Sequence, residues 1–175
     1  MLKVLLIVTV FGFGSIIGSF LNVCIYRIPL GKSVVTPPSS CPQCGVYIRW
    51  YQNIPIISWL LLCGRCAECN VSIPARYPLV EFLNGALYLL VFWAFGYSTT
   101  TFVFWLFVSL LIVVSFIDLD HRIIPNVISL PGIIVGFGAS FLIPWLGWID
   151  SLIGVLIGGG SLLVVAVVYR LVAKR

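Results

Sequence analysis

Five apolar runs, residues 4–25, 79–95, 101–117, 127–146 and 151–171, take up most of this 175-residue chain. Crossing the hydrocarbon layer of a bilayer takes ~20 mostly apolar residues as a helix. Each run is therefore predicted to be a spanning helix, the second and third near the short limit. With 61% hydrophobic and 9% charged residues and a mean hydropathy of +1.17, the composition belongs to an integral membrane protein. Tyr97, Trp145, Trp148 and Tyr169 stand at the ends of the runs, where amphipathic rings meet the interface.

The basic residues orient the prediction. Arg27, Lys32, Arg49, Arg65 and Arg76 lie in or beside the one large polar segment, Arg122 follows the third run, and Arg170, Lys174 and Arg175 close the fifth. Alternation across five helices puts all of these on one side and Lys3 alone on the other. Positive charge is retained on the cytoplasmic side, so the N-terminus is expected outside and the polar segment in the cytoplasm. The net charge of +5 then reads as topology, with some attraction to anionic lipid, and not as nucleic-acid binding. The first run is longer than a secretory signal core, and Arg27 follows it with no small-x-small cleavage site. A lipoprotein-type acceptor at Cys24 is disfavoured by the bulky Val23, and Cys24 is expected on the membrane face as an inert thiol. Gly14/Gly18, Gly132/Gly136 and Gly154/Gly158 are small-xxx-small pairs suited to close helix packing.

Residues 27–78 form the only stretch with soluble-domain character, giving three predicted parts: residues 1–26 as the first spanning helix, 27–78 as a loop domain, and 79–175 as a four-helix membrane part. The loop holds Cys41-Pro42-Gln43-Cys44 and, 21 residues on, Cys66-Ala67-Glu68-Cys69. Two such knuckles fit a tetrahedral site in which Cys41, Cys44, Cys66 and Cys69 hold a structural Zn2+. A pair of disulfides is the competing reading. The predicted cytoplasmic side is reducing and favours thiolates, and a segment with so little apolar material needs a staple. Cys63 remains a possible competing ligand. Nothing nearby offers an open zinc position with a general base, so a zinc hydrolase is not expected.

The third run ends in Asp118-Leu119-Asp120-His121-Arg122-Ile123-Ile124-Pro125-Asn126. Ionisable side chains are expensive at a membrane edge, and an acid there is a functional-site candidate by default; the bland alternative is a solvated loop with His121 as a cap or headgroup contact. Glu81, entering the second run, is either an acid favoured by a positive helix N-terminus or a distant candidate for a second catalytic carboxylate.

Taken in order, Gly18-Ser19-Phe20-Leu21-Asn22-Val23-Cys24-Ile25-Tyr26-Arg27-Ile28-Pro29, the two knuckles, Asn53-Ile54-Pro55 with Ser58-Trp59, Arg76-Tyr77-Pro78-Leu79-Val80-Glu81 and the Asp118 stretch resemble the type IV prepilin peptidases across the whole chain. The resemblance implies a polytopic inner-membrane aspartic endopeptidase. Such enzymes cut the basic leader of prepilins or pseudopilins after a glycine on the cytoplasmic side, then methylate the new amine with S-adenosylmethionine, in pilus biogenesis or type II secretion. The family's first catalytic aspartate falls on Asp118, while Asp120 is not the position assigned to catalysis.

Aspartyl chemistry needs two carboxylates sharing one proton across a water. Asp118 and Asp120, two apart on a helix, point about 200° away from each other, and the predicted topology places Asp150 on the outer face. The family's second aspartate lies in a Gly-x-Gly-Asp motif that these 175 residues lack; Gly158-Gly159-Gly160 is followed by Ser161. The expectation is half a dyad, from a fragment, an inactive homologue, or one part of an enzyme completed by a second chain. The alternative function is a non-catalytic, zinc-stabilised membrane adaptor that binds prepilins or secretion components. A transporter is disfavoured because carrier sites lie near the bilayer midplane. No glycine-rich donor-binding signature for the methyl donor is visible.

Overall fold

A computed structural model describes residues 1–172, so Lys174 and Arg175 lie outside the described residues. The described chain is helical: α1 (Leu2–Arg27), α2 (Ile57–Leu61), α3 (Arg76–Phe95), α4 (Thr99–His121), α5 (Asn126–Ala139) and α6 (Trp148–Val172). It divides into two compact units, Met1–Pro125 and Asn126 onward.

Four helices, α1, α3, α4 and α6, are long and apolar enough to cross a membrane. The run at residues 127–146 does not form one continuous span. Its helix, α5, has 14 residues, or about 21 Å of rise against a hydrocarbon layer of about 30 Å. The stop has a local cause. Beyond Ala139 the amides of Ser140, Phe141 and Leu142 bond three residues back, to Phe137, Gly138 and Ala139. The Ser140 hydroxyl donates to the Phe137 carbonyl at 2.7 Å, which competes with helix continuation, and Pro144 follows.

In the first unit α1, α3 and α4 form the bundle. Glycines set the α1–α3 approach: a Cβ on Gly18 would lie 2.7 Å from the Glu81 Cα, and one on Gly14 would lie 2.8 Å from the Gly85 Cα. The pair predicted for close packing does pack closely. By contrast, Gly132, Gly136, Gly154 and Gly158 meet nothing within 4 Å. Cys24, expected on the membrane face, is buried in the bundle.

Polar side chains lock the three helices together. Fully buried Asn84 donates from Nδ2 to the Gly14 carbonyl at 2.7 Å and accepts from the Ser109 hydroxyl at 3.2 Å. Tyr88 pairs its hydroxyl with Ser109 at 3.0 Å and stacks on Trp105, whose indole N–H donates to the Tyr88 carbonyl. In a low-dielectric interior such satisfied networks specify one register. The register is antiparallel, and it brings the start of α3 to the end of α4, where Arg76 and Asp120 form an ion pair.

The connections follow from capping chemistry. Gly96, at φ 61°, ends α3, and the Ser98 side chain accepts the Thr101 N–H to start α4. Arg122, left-handed at φ 53°, closes α4 by donating its N–H to the Asp118 carbonyl at 2.7 Å. Beyond it Pro125 cannot continue the helix.

Candidate functional site

Two sites emerge from the first unit, a cysteine cluster in the loop and the acidic end of α4. The cluster is built by two copies of one local structure. In Cys41-Pro42-Gln43-Cys44-Gly45-Val46 the Cys41 amide donates to the Val46 carbonyl at 3.0 Å and Gly45 donates back to Cys41 at 2.9 Å. In Cys66-Ala67-Glu68-Cys69-Asn70-Val71 the equivalent bonds, Cys66 to Val71 and Asn70 to Cys66, measure 2.9 and 3.0 Å. Gly45 and Asn70 both take positive φ, 70° and 57°, as a glycine and an asparagine do at least cost. Single antiparallel bridges, Ser40 with Tyr47 and Arg65 with Ser72, close each turn. The two Cys-x-x-Cys knuckles were expected from the sequence; that each continues as Gly or Asn and then Val, so that the repeat is six residues long, was not.

The turns aim four sulfurs at one point. The ligand atoms of Cys41, Cys44, Cys66 and Cys69 lie within 4.8 Å of one another, and Cys41 Sγ is 3.7 Å from Cys69 Sγ. Tetrahedral zinc with Zn–S bonds of about 2.3 Å requires S···S separations of about 3.8 Å, so the donor set fits a metal ion with little adjustment. All six cysteines are free thiols, and Cys63 is not a member of the cluster. The electrostatics point the same way. The backbone N–H groups of Cys44 and Gln43 lower the Cys41 thiol to about 6. For Cys69 the Val71 N–H pulls downward, but desolvation and the crowding of the other three sulfurs outweigh it and push the thiol up to about 12. Four sulfurs converge here, and a bound cation would favour their deprotonated, ligating form.

The cluster is tied to the bundle. The Trp59 indole donates to the Ile73 carbonyl at 3.0 Å, and Ile73 donates to Gly64 at 2.7 Å. Gly64 sits at φ 67° with the Trp59 ring 2.8 Å from where a Cβ would stand, so both its conformation and its neighbour require glycine. Buried Glu81 reaches back from α3 and accepts the Ile56 N–H at 2.7 Å. Ile56 holds φ 63°, a costly setting for a β-branched residue. Glu81 is thus a clamp on the loop.

At the end of α4, Asp118 is exposed and, among the described residues, its carboxylate has no hydrogen-bond or ion-pair partner. Asp120 is spent on Arg76, and His121 is the last residue of the helix. Glu81 is occupied elsewhere: its carboxylate accepts the Ile56 N–H, and among the described residues no hydrogen bond links it to Asp118. The structure does not bring Asp118 together with either Asp120 or Glu81. Asp150 accepts the Gly147 N–H at 3.3 Å, within the second unit.

These features define a helical membrane protein with a four-cysteine domain outside its spans and a free aspartate at one helix end. Residues 12–95 match the bacterial peptidase A24 N-terminal domain, and residues 105–173 match the type IV leader peptidase family. The chain belongs to that family. It is 44% identical over 151 residues to a prepilin leader peptidase/N-methyltransferase of Myxococcus xanthus, covering 86% of this chain and 45% of the relative. With proteins of the same name from Neisseria gonorrhoeae and Pseudomonas aeruginosa it shares 36% and 35% identity, covering 93% of this chain and 65% and 64% of theirs. The chain therefore spans about half to two thirds of these relatives' length. No solved structure matches. Four apolar helices and these relatives fit an inner-membrane protein.

Proposed function

We propose that this chain carries the Asp118 half of a membrane aspartic endopeptidase that removes the basic leader from type IV prepilins or pseudopilins. The observation that carries the reading is the Asp118 carboxylate, without a partner among the described residues, near the end of an apolar helix in a member of this family. In such a reaction one carboxylate takes a proton from the attacking water while its protonated partner polarises the scissile carbonyl. Asp118 is available for either role. The second carboxylate comes from a further part of the polypeptide or from a second chain, because Asp120 and Glu81 are committed to Arg76 and Ile56.

In this reading residues 1–26 anchor the protein, residues 27–78 form the loop domain, and 79–175 belong to the peptidase membrane domain. The N-terminus lies outside, with the loop and Asp118 in the cytoplasm, as the basic residues favour; the Arg76–Asp120 pair supports a shared side for the last two. Cys41, Cys44, Cys66 and Cys69 hold Zn2+ as a structural staple, with all four positions filled and none open to substrate. N-methylation of the new terminus is read from the relatives' names, and S-adenosylmethionine as its donor from the family resemblance. The same names favour an enzyme over an adaptor.

The test is Asp118→Asn in the complete protein, with a prepilin substrate followed by its change in mass. Cleavage is expected to vanish. Normal processing by that variant would remove Asp118 from the mechanism.

A further inference from the structure

The last turn of α4 is held by very little. Ile117 is fully buried, but residues 118 to 124 are all exposed, and Leu119 keeps 77% of its surface. Among the described residues the one side-chain tether between this turn and another helix is the Arg76–Asp120 ion pair.

Both partners stand at the wrong end of their own helix. Arg76 is the first residue of α3, where the helix dipole disfavours a cation, and Asp120 is in the last turn of α4, where it disfavours an anion. Exchanged, the same two charges would complement both dipoles. Neither placement serves its helix, and local rules are broken chiefly where function requires it.

Arg76 also sits at a junction. Seven residues earlier is Cys69, and between them Ile73 is fixed from both sides by the Trp59 indole and the Gly64 carbonyl. The chain just before Arg76 is thus tied to the cysteine segment, the adjacent Tyr77 carbonyl accepts from Asn22 Nδ2 of α1 at 3.1 Å, and the guanidinium reaches from this held corner to Asp120 of α4.

We propose that Arg76 and Asp120 are positioning residues for Asp118. Their ion pair clamps the acidic turn of α4 to the foot of the cysteine domain and fixes where the Asp118 carboxylate stands. The proposal rests on the reading of Asp118 as a catalytic carboxylate. It gives the cysteine domain a consequence for catalysis without placing it at the reacting atoms. Because Asp120 is turned to Arg76 of α3, Asp118, two residues earlier, projects from a different face of the helix.

The experiment compares Asp118→Asn, Asp120→Asn, Arg76→Gln and the charge-reversed double variant Arg76→Asp/Asp120→Arg in the complete protein in membranes, with prepilin as substrate. A misplaced catalytic group loses on the order of tenfold to a hundredfold in rate. Each latch variant is expected to lose about tenfold in kcat with KM held within about twofold, while Asp118→Asn loses all activity. The reversed pair is expected to recover most of the kcat and to melt no lower than the parent, since both charges then suit their helix dipoles. Full kcat in Asp120→Asn and Arg76→Gln, beside a dead Asp118→Asn, would overturn the latch and leave the catalytic reading intact. An active Asp118→Asn would overturn both. Should the single variants fail to accumulate, the reversed pair decides: a stable protein that stays slow refutes positioning by this contact.

Discussion

If the four cysteines hold zinc as proposed, removing it is the sharpest perturbation, because the cysteine segment has almost nothing else to hold it. Between Ile28 and Ala75 only Cys41, Ser58 and Gly64 are buried, and Cys41 is the sole apolar one among them. Burying one small apolar side chain contributes about 1 to 2 kcal/mol. A structural four-cysteine zinc contributes roughly 10 to 16 kcal/mol in small zinc domains at neutral pH, several times what this segment gains by burial. Even a loss of about 4 kcal/mol is roughly a thousandfold in an opening equilibrium. Hydrogen exchange reads this residue by residue. After chelation, or in Cys44→Ser, the amides of Cys41, Gly45, Cys66 and Asn70 are expected to lose at least about a thousandfold in protection. Amides near Asn84 and Ser109 should change only a few-fold, since their network touches no cysteine of the cluster. Unchanged protection of the knuckle amides in metal-free protein would refute the staple. So would a metal content below about half an equivalent in freshly purified reduced protein.

Two further perturbations follow from the same geometry. Zinc uptake displaces protons from thiols; above pH 6 Cys41, lowered to about 6, is already ionised, and below it one more proton must leave. Zinc affinity should therefore fall as pH falls, with the slope of log K against pH steepening by about one unit below pH 6 in a competition titration; a slope constant from pH 7 to 5 contradicts the assignment. Gly18→Ala puts a methyl 2.7 Å from the Glu81 Cα and 3.2 Å from the Val80 carbonyl oxygen, backbone atoms that cannot turn aside. A cost of about 1 to 3 kcal/mol in detergent melting is expected, whereas Gly12→Ala meets nothing and should gain up to about 1 kcal/mol of helix propensity.

The sequence disclosed what depends on composition and spacing. Four of the five apolar runs became helices long enough to span, and the two knuckles converged because each Cys-x-x-Cys turn carries its own conformation in the residues that follow it. The run at 127–146 misled because hydropathy alone ignores stop signals. Ser140 and Pro144 were both in view, and the helix ends at Ala139, where the Ser140 hydroxyl bonds the Phe137 carbonyl. Glu81 was harder. Its partner is the Ile56 N–H, 25 residues earlier, presented by an isoleucine at a φ that isoleucine rarely adopts. No local pattern predicts a contact that depends on overriding a local preference. Arg76–Asp120 escaped for a similar reason: each residue contradicts its own helix, and the explanation lies in a register set by Asn84, Tyr88, Trp105 and Ser109.

The chain has five acidic residues, and the structure sorts them by what each carboxylate is doing. Glu81 holds the Ile56 amide, Asp120 holds Arg76, and Asp150 accepts the Gly147 amide. Glu68 is exposed on the tip of the second knuckle, in the field of Arg49, where an anion is well solvated and asks for no further explanation. Asp118 differs from all four. It stands in the last turn of an apolar helix of 23 residues, offers its backbone carbonyl to Arg122, and among the described residues leaves its side chain unspent, two positions before a residue whose charge is paired with Arg76. A solvated loop would not need that turn tethered, and a capping residue would not leave its carboxylate idle. An acid kept free on a fixed mount is what a two-carboxylate mechanism would require from one of its members, and in the proposed reading the Arg76–Asp120 tether is what keeps that mount fixed.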